Sequence, residues 1–142
     1  MISYDAPDSM SALQAKFEAQ KIAFAPVVFH ATLAMRDLGI LEAIRLTKDT
    51  GISAEALAEQ LSLSVYGIKV LLEVGMSSGI VRLVDDHYIL TKTGYYLIRD
   101  ELTRVNINFV NDVCYQAMAN LTESIREQKP AGLKVFSDAD TI

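Results

Sequence analysis

The side chains best suited to chemistry are few and scattered. Two histidines, His30 and His87, and one cysteine, Cys114, lie far apart without ligand spacing, which excludes a zinc site built from them. No Ser, Cys or Asp stands in pattern with His30 to make it a general base. It sits on an apolar stretch and is expected as a buried, hydrogen-bonded ring; the alternative is the wall of a substrate pocket or of a subunit interface. Cys114 is flanked by "NDV" and "YQA", with no cation to lower its pKa, and reads as a buried structural thiol. The seven glycines (39, 51, 67, 75, 79, 94 and 132) never form G-x-G. No glycine-rich loop follows a strand, and no acidic residue stands downstream to hold a ribose. No catalytic, cofactor-binding or metal-binding residue is therefore assigned.

A second kind of chemistry is suggested by "GISAEALAEQL" followed by "LSVYGIKVLL", the layout of a helix-turn-helix. Reading DNA needs Lys and Arg against phosphates, and Arg, Lys, Asn or Gln early in the second helix. That helix offers Ser64, Val65, Tyr66, Gly67 and Lys69, followed by Glu73. The tip of the following hairpin is Asp85-Asp86, which phosphates would repel. The net charge of −5 is spread evenly along the chain, so no segment hides a basic face. The expectation is a packing unit put to another use, with no nucleic-acid partner; a small winged-helix transcription regulator is the alternative. Tyr88, Tyr95 and Tyr96 are expected to pack against the helix-turn-helix rather than to stack bases.

The elements that must position these residues follow from periodicity. Residues 1–8 read as a flexible tail. Leu13, Phe17, Gln20/Lys21 and Phe24 recur at helical spacing. Pro26 is expected to start or kink a second helix that stops at Gly39. "ILEAIRLTK" is a short amphipathic helix with Ile40, Leu41 and Ile44 inward. Ser53 and Ser64 cap the two helices of the helix-turn-helix. The second is expected to bury Val65, Ile68, Leu71, Leu72 and Met76. "IVRLV" and "HYILT", joined by Asp85-Asp86, form a β-hairpin wing, and a short helix follows in "TKTGYYLIRD". From Thr103 to about Gln128 a long helix is expected, with Val105, Phe109, Val113 (or Cys114), Ala117, Leu121 and Ile125 every fourth residue. "KPAG" ends it, and "LKVFSDADTI" has no partner element. The fold class is mainly α: a winged helix-turn-helix with a small β-hairpin, N-terminal helices and a long C-terminal helix as a dimerisation scaffold.

The chain has 142 residues, 51% apolar and 22% charged, the composition of an ordinary globular domain. No uncharged apolar run approaches the roughly 18 residues of a membrane span, and no membrane partner is expected. The lone cysteine and the lack of a basic leader point to the cytoplasm. The helix over Ile22–Leu38 carries apolar residues on more than one face, which a small core cannot cover. An intertwined homodimer through the N-terminal helices and the helix after Thr103 is the expected solution.

The segments "FAPVVFHATLAMRDLGILEAI", "ISAEALAEQLSLSVYGIKVLLEVGMSSGIV", "HYILTKTGYYLI" and "NINFVNDVCYQAMANLTESIREQKPAGLKVF" resemble, in that order, the N-terminal winged-helix dimerisation domain of S-adenosylmethionine-dependent methyltransferases of the plant O-methyltransferase type and their bacterial relatives. The resemblance covers residues 20–140. It implies a domain that interlocks with a second subunit and lends part of the wall of the acceptor pocket. The resemblance implies methyl transfer to oxygen of a small molecule in a following Rossmann-like domain. S-adenosylmethionine is then expected for the parent enzyme and not for this chain. Residues 9–128 form the dimerisation domain on this reading, and 129–142 a connector towards a catalytic domain. His30, Phe109, Asn111, Tyr115 and Met118 are the candidate pocket or dimer-interface residues. Phe109 and Met118 read alternatively as core or dimer contacts, and Asn111 with Asp112 as solvated.

Overall fold

The computed structural model describes residues 8–136; the expected tail lies outside them but for Asp8, as do residues 137–142 of the expected connector. The described residues fall into two compact units that part between Gly94 and Tyr95. The first unit opens with α1 (Ala12–Asp37). Its start is fixed by a capping box: the Ser11 hydroxyl accepts from the Gln14 N–H, and the Gln14 side chain accepts from the Ser11 N–H. The expected new start at Pro26 is not found. Pro26 lies inside one helix and removes only the bond it would donate to the Ile22 carbonyl. Leu38 closes α1, and Gly39 follows with φ +79°, the left-handed residue that lets the chain turn into α2 (Ile40–Leu46).

The helix-turn-helix comprises α3 (Ala54–Leu61) and α4 (Val65–Ser77). Ser53 and Ser64 cap them as expected, accepting from Ala56 N–H and Gly67 N–H. The buried line of α4 is Ile68, Leu72 and Gly75. Leu71 and Met76 are half-buried, and Val65, in the first turn, is exposed rather than inward. A Cβ on Gly75 would stand 3.1 Å from Val81 and 3.4 Å from the Met35 sulfur, so this position lets α1, α4 and the hairpin meet closely.

The wing pairs β1 (Val81–Val84) with β2 (His87–Leu90), antiparallel, with Val84 opposite His87. Asp85 and Asp86 both take positive φ, the signature of a two-residue type I′ turn. Ile52 adds a bridge to Tyr88, which ties the loop before α3 to the hairpin. The core is formed by Met35, Ile40, Leu41, Ile44, Leu57, Ile68 and Leu72, all fully buried, with Ile80, Val81, Tyr88 and Ile89 from the wing. The Thr91 hydroxyl lies 2.6 Å from the Gly79 carbonyl and accepts from the Gly94 N–H, which starts α5 (Lys92–Arg99).

The second unit is where the expected long helix fails. Instead α6 (Glu101–Phe109) passes into a π turn over Val110–Cys114, then α7 (Tyr115–Met118), a break at Ala119–Asn120, and α8 (Leu121–Glu127). A strict repeat of four outruns the 3.6-residue turn, and a wider i→i+5 turn is one way to keep such residues in line. Beyond the break, "KPAG" does more than stop a helix. Ala131–Val135 forms a 3-10 turn, with Ala131 buried. A Cβ on Gly132 would meet the Ala117 carbonyl at 2.8 Å, so glycine permits this approach to α7. Lys134 pairs with Glu123 at 2.7 Å, and the Ser124 hydroxyl accepts from the Ala131 N–H. The described part of "LKVFSDADTI" therefore has a partner in its own unit, through Lys134 and the adjoining Ala131 and Gly132, residues that apolar periodicity does not weigh.

Candidate self-association surface

The face on which a helix-turn-helix would read DNA holds little positive charge. Lys69, on α4, lies 2.8 Å from Glu55 on α3. The pair holds the Glu55 carboxyl below its ordinary range, chiefly through the hydrogen bond from Lys69, and raises the Lys69 ammonium, chiefly through that same bond. Around it Val65, Tyr66 and Val70 are exposed, and Asp85 and Asp86 stand exposed at the wing tip. Among the described residues no group of three or more His, Cys, Asp or Glu gathers to hold a metal ion.

The first half of α1 is different in kind. Residues 8–27 are all exposed, including Leu13 at 79%, Phe17 at 62% and Phe24 at 56%. At 100° per residue Leu13, Phe17, Phe24, Val28, Ala31 and Met35 lie within an arc of about 60°. One apolar stripe thus runs the length of the helix. Its second half, Ala31 and Met35 with Thr32 and Leu33 beside them, is sealed into the core; its first half faces water. Exposed apolar patches are a feature of interaction sites. The charges beside it are light: Lys21 bridges Glu18 at 3.0 Å and lies 5.7 Å from the Phe17 ring centre.

His30 corrects its expectation. It is exposed, on the side of α1 away from the buried Ala31, Thr32 and Met35, although Leu33 near it is buried; its ring meets Phe29 edge-on at 5.8 Å. The other four candidates lie together in the second unit, on and around the π turn. Phe109 and Met118 are exposed, so they are not core. Asn111 is exposed and bonds to exposed Asp112 at 2.8 Å, which agrees with a solvated pair. Tyr115 and Cys114 are half-buried, so the thiol is less enclosed than expected. Leu102, Val105, Val113, Leu121 and Ile125 are exposed alongside them. Tyr95 and Tyr96 meet each other edge-on at 5.9 Å and are exposed, whereas Tyr88 is buried in the wing. Asp100 caps α6: it accepts from the hydroxyl and N–H of Thr103, and these bonds hold its carboxyl below the ordinary range.

No single helix among the described residues is long and apolar enough to cross a membrane. Together α1 and α2 reach that length and composition, but they are bent by 62°, and they supply Met35, Ile40, Leu41 and Ile44 to the core.

The fold is a mainly α winged-helix domain whose first helix leaves half of its apolar stripe in water. The family model of the Dimerisation2-like domain matches residues 16–88, from α1 through the wing, and the chain belongs to that family. Among solved structures, the chain is similar to the S-adenosylmethionine-dependent methyltransferase SibL, with 25% identity and a TM-score of 0.73 over 85% of this chain and 36% of that one. It shares its fold with LepI, solved in complex with SAM (17% identity, TM-score 0.74, 94% of this chain and 35% of that one). It also shares it with a protein described as a pericyclic reaction enzyme (17% identity, TM-score 0.69, 84% and 30%). The chain thus spans about a third of the length of each. No curated protein matches it.

Proposed function

We propose that this chain is the homodimerisation domain of a SAM-dependent methyltransferase acting on a small-molecule acceptor. The observation that carries the reading is the Dimerisation2-like match over 16–88, whose first helix leaves half of its apolar stripe in water. The likeness to SibL supports methyl transfer and SAM as the parent's chemistry and cofactor. In this reading residues 9–128 are the self-association module, and 129–142 lead towards a catalytic domain. His30 and the exposed Phe109, Asn111 and Met118, with Tyr115, face either the second subunit or the acceptor.

One second reading has an observation behind it. A pericyclic reaction enzyme shares this fold, so a parent with other chemistry fits the same domain. DNA regulation has no such support: the lysine on the reading helix is engaged by Glu55, and the wing tip is acidic. Calorimetry of SAM with the polypeptide extended through the downstream coding sequence tests the parent's identity. Stoichiometric binding to the extended protein and none to the 142-residue chain is expected. An extended protein without a glycine-rich loop after a strand, and without SAM binding, would overturn the reading.

A further inference from the structure

We propose that the first half of α1, residues 12–25, is helical only when a second copy of the chain covers it, with Pro26 as the border between this segment and the self-sufficient half of the helix. The inference rests on the homodimer reading and adds a folding event to it. Three observations meet at the border. Every residue from 8 to 27 is exposed, whereas burial begins at Val28 and is complete at Met35. The described residues of the first unit therefore seal none of the side chains of this segment from water. Pro26 removes the backbone bond to Ile22, so helix cannot propagate from the packed half with its usual cooperativity. A segment of this length is marginal as an isolated helix in water, since nucleation is unfavourable and most helical stability comes from packing. The capping box at Ser11 and the alanines at 12, 15, 19, 23 and 25 make the helix ready to form, but they do not replace a partner.

The occupant is a second copy because the exposed stripe (Leu13, Phe17, Phe24) continues the one that this fold already seals at Ala31 and Met35, and because the family match that names self-association includes this helix. Association would then be coupled to the ordering of about four turns of helix.

The test is hydrogen exchange read by mass spectrometry on the whole chain, from about 1 to about 100 µM, with the dimer fraction followed by sedimentation on the same samples. Protection of residues 12–25 should rise by about tenfold or more in step with dimer, while 31–45 stay protected throughout. Pro26→Ala should raise protection of 12–25 in the monomer. Phe17→Glu should lower both the dimer fraction and the protection of 12–25 at a given concentration, with 31–45 unchanged. A dimer whose 12–25 segment is equally protected at every concentration overturns the inference and leaves the homodimer reading intact. A chain that stays monomeric throughout overturns the homodimer reading, and this inference with it.

Discussion

The winged-helix body and the first half of α1 belong to one unit yet solve the same problem in opposite ways. In the body Met35, Ile40, Leu41, Ile44, Leu57, Ile68 and Leu72 leave water completely, and the wing closes over them. In residues 8–27 no side chain leaves water. Both regions carry apolar residues at helical spacing, so periodicity alone does not say what a stripe will meet. Supply does: α2 and α4 pack on the second half of α1, and the first half faces water.

The largest effect should break one region and spare the other. Leu72→Ala removes a fully buried side chain and should cost about 2–5 kcal/mol in urea unfolding. Phe17→Ala should change the unfolding of the monomer by less than about 0.5 kcal/mol. A large loss from Phe17→Ala in dilute protein would mean that the stripe is already packed within one chain. Next in size, Phe17→Glu should weaken association by about 30-fold or more, the scale of an interface hot spot, as read by sedimentation at several concentrations. An unchanged dimer would move the interface elsewhere.

Gly94→Ala sharpens the picture of the body. The added Cβ would fall 2.4 Å from the Ile80 carbonyl and 2.5 Å from the Leu90 side chain, so α5 must shift at about 1–3 kcal/mol in thermal or urea unfolding. Smaller still, Ser64→Ala deletes the cap of α4 and should cost about 1 kcal/mol at any concentration. Ser11→Ala deletes an equivalent cap on α1 and should be felt only where dimer forms. The smallest effect is one of pH. Thr103 bonds depress the Asp100 carboxyl in the folded chain, so their contribution is present above the ordinary carboxylate range. It fades as pH falls through the depressed value, and Asp100→Asn should flatten that part of the acid unfolding curve.

Much of this was legible in the residues because it rests on local rules. Caps at Ser53 and Ser64, the Gly39 stop, the Asp85-Asp86 turn and the inward Ile40, Leu41 and Ile44 all follow from backbone chemistry or amphipathic spacing. What misled was tertiary. The exposure of His30 depends on which arc of α1 the core takes. The seat of Ala131 and Gly132 against α7 is made by residues too small to show in an apolar pattern. The π turn at Val110–Cys114 keeps the helical spacing of a sequence that reads as one long helix, so only the backbone reveals it. Of the two readings of Pro26, a new start does not occur, since a proline can sit inside a helix at the cost of one bond. The candidates His30, Phe109, Asn111, Tyr115 and Met118 were chosen by resemblance and apolar context, and the structure distributes them over two units.

The central claim is that the stripe of α1 is completed by another copy of the same chain. Sedimentation equilibrium of the 142-residue chain at micromolar concentrations tests it most directly. A species of twice the 15.6 kDa chain mass, which shifts towards monomer on Phe17→Glu, is the expected result. A single 15.6 kDa species at every concentration, unaltered by that substitution, would contradict it.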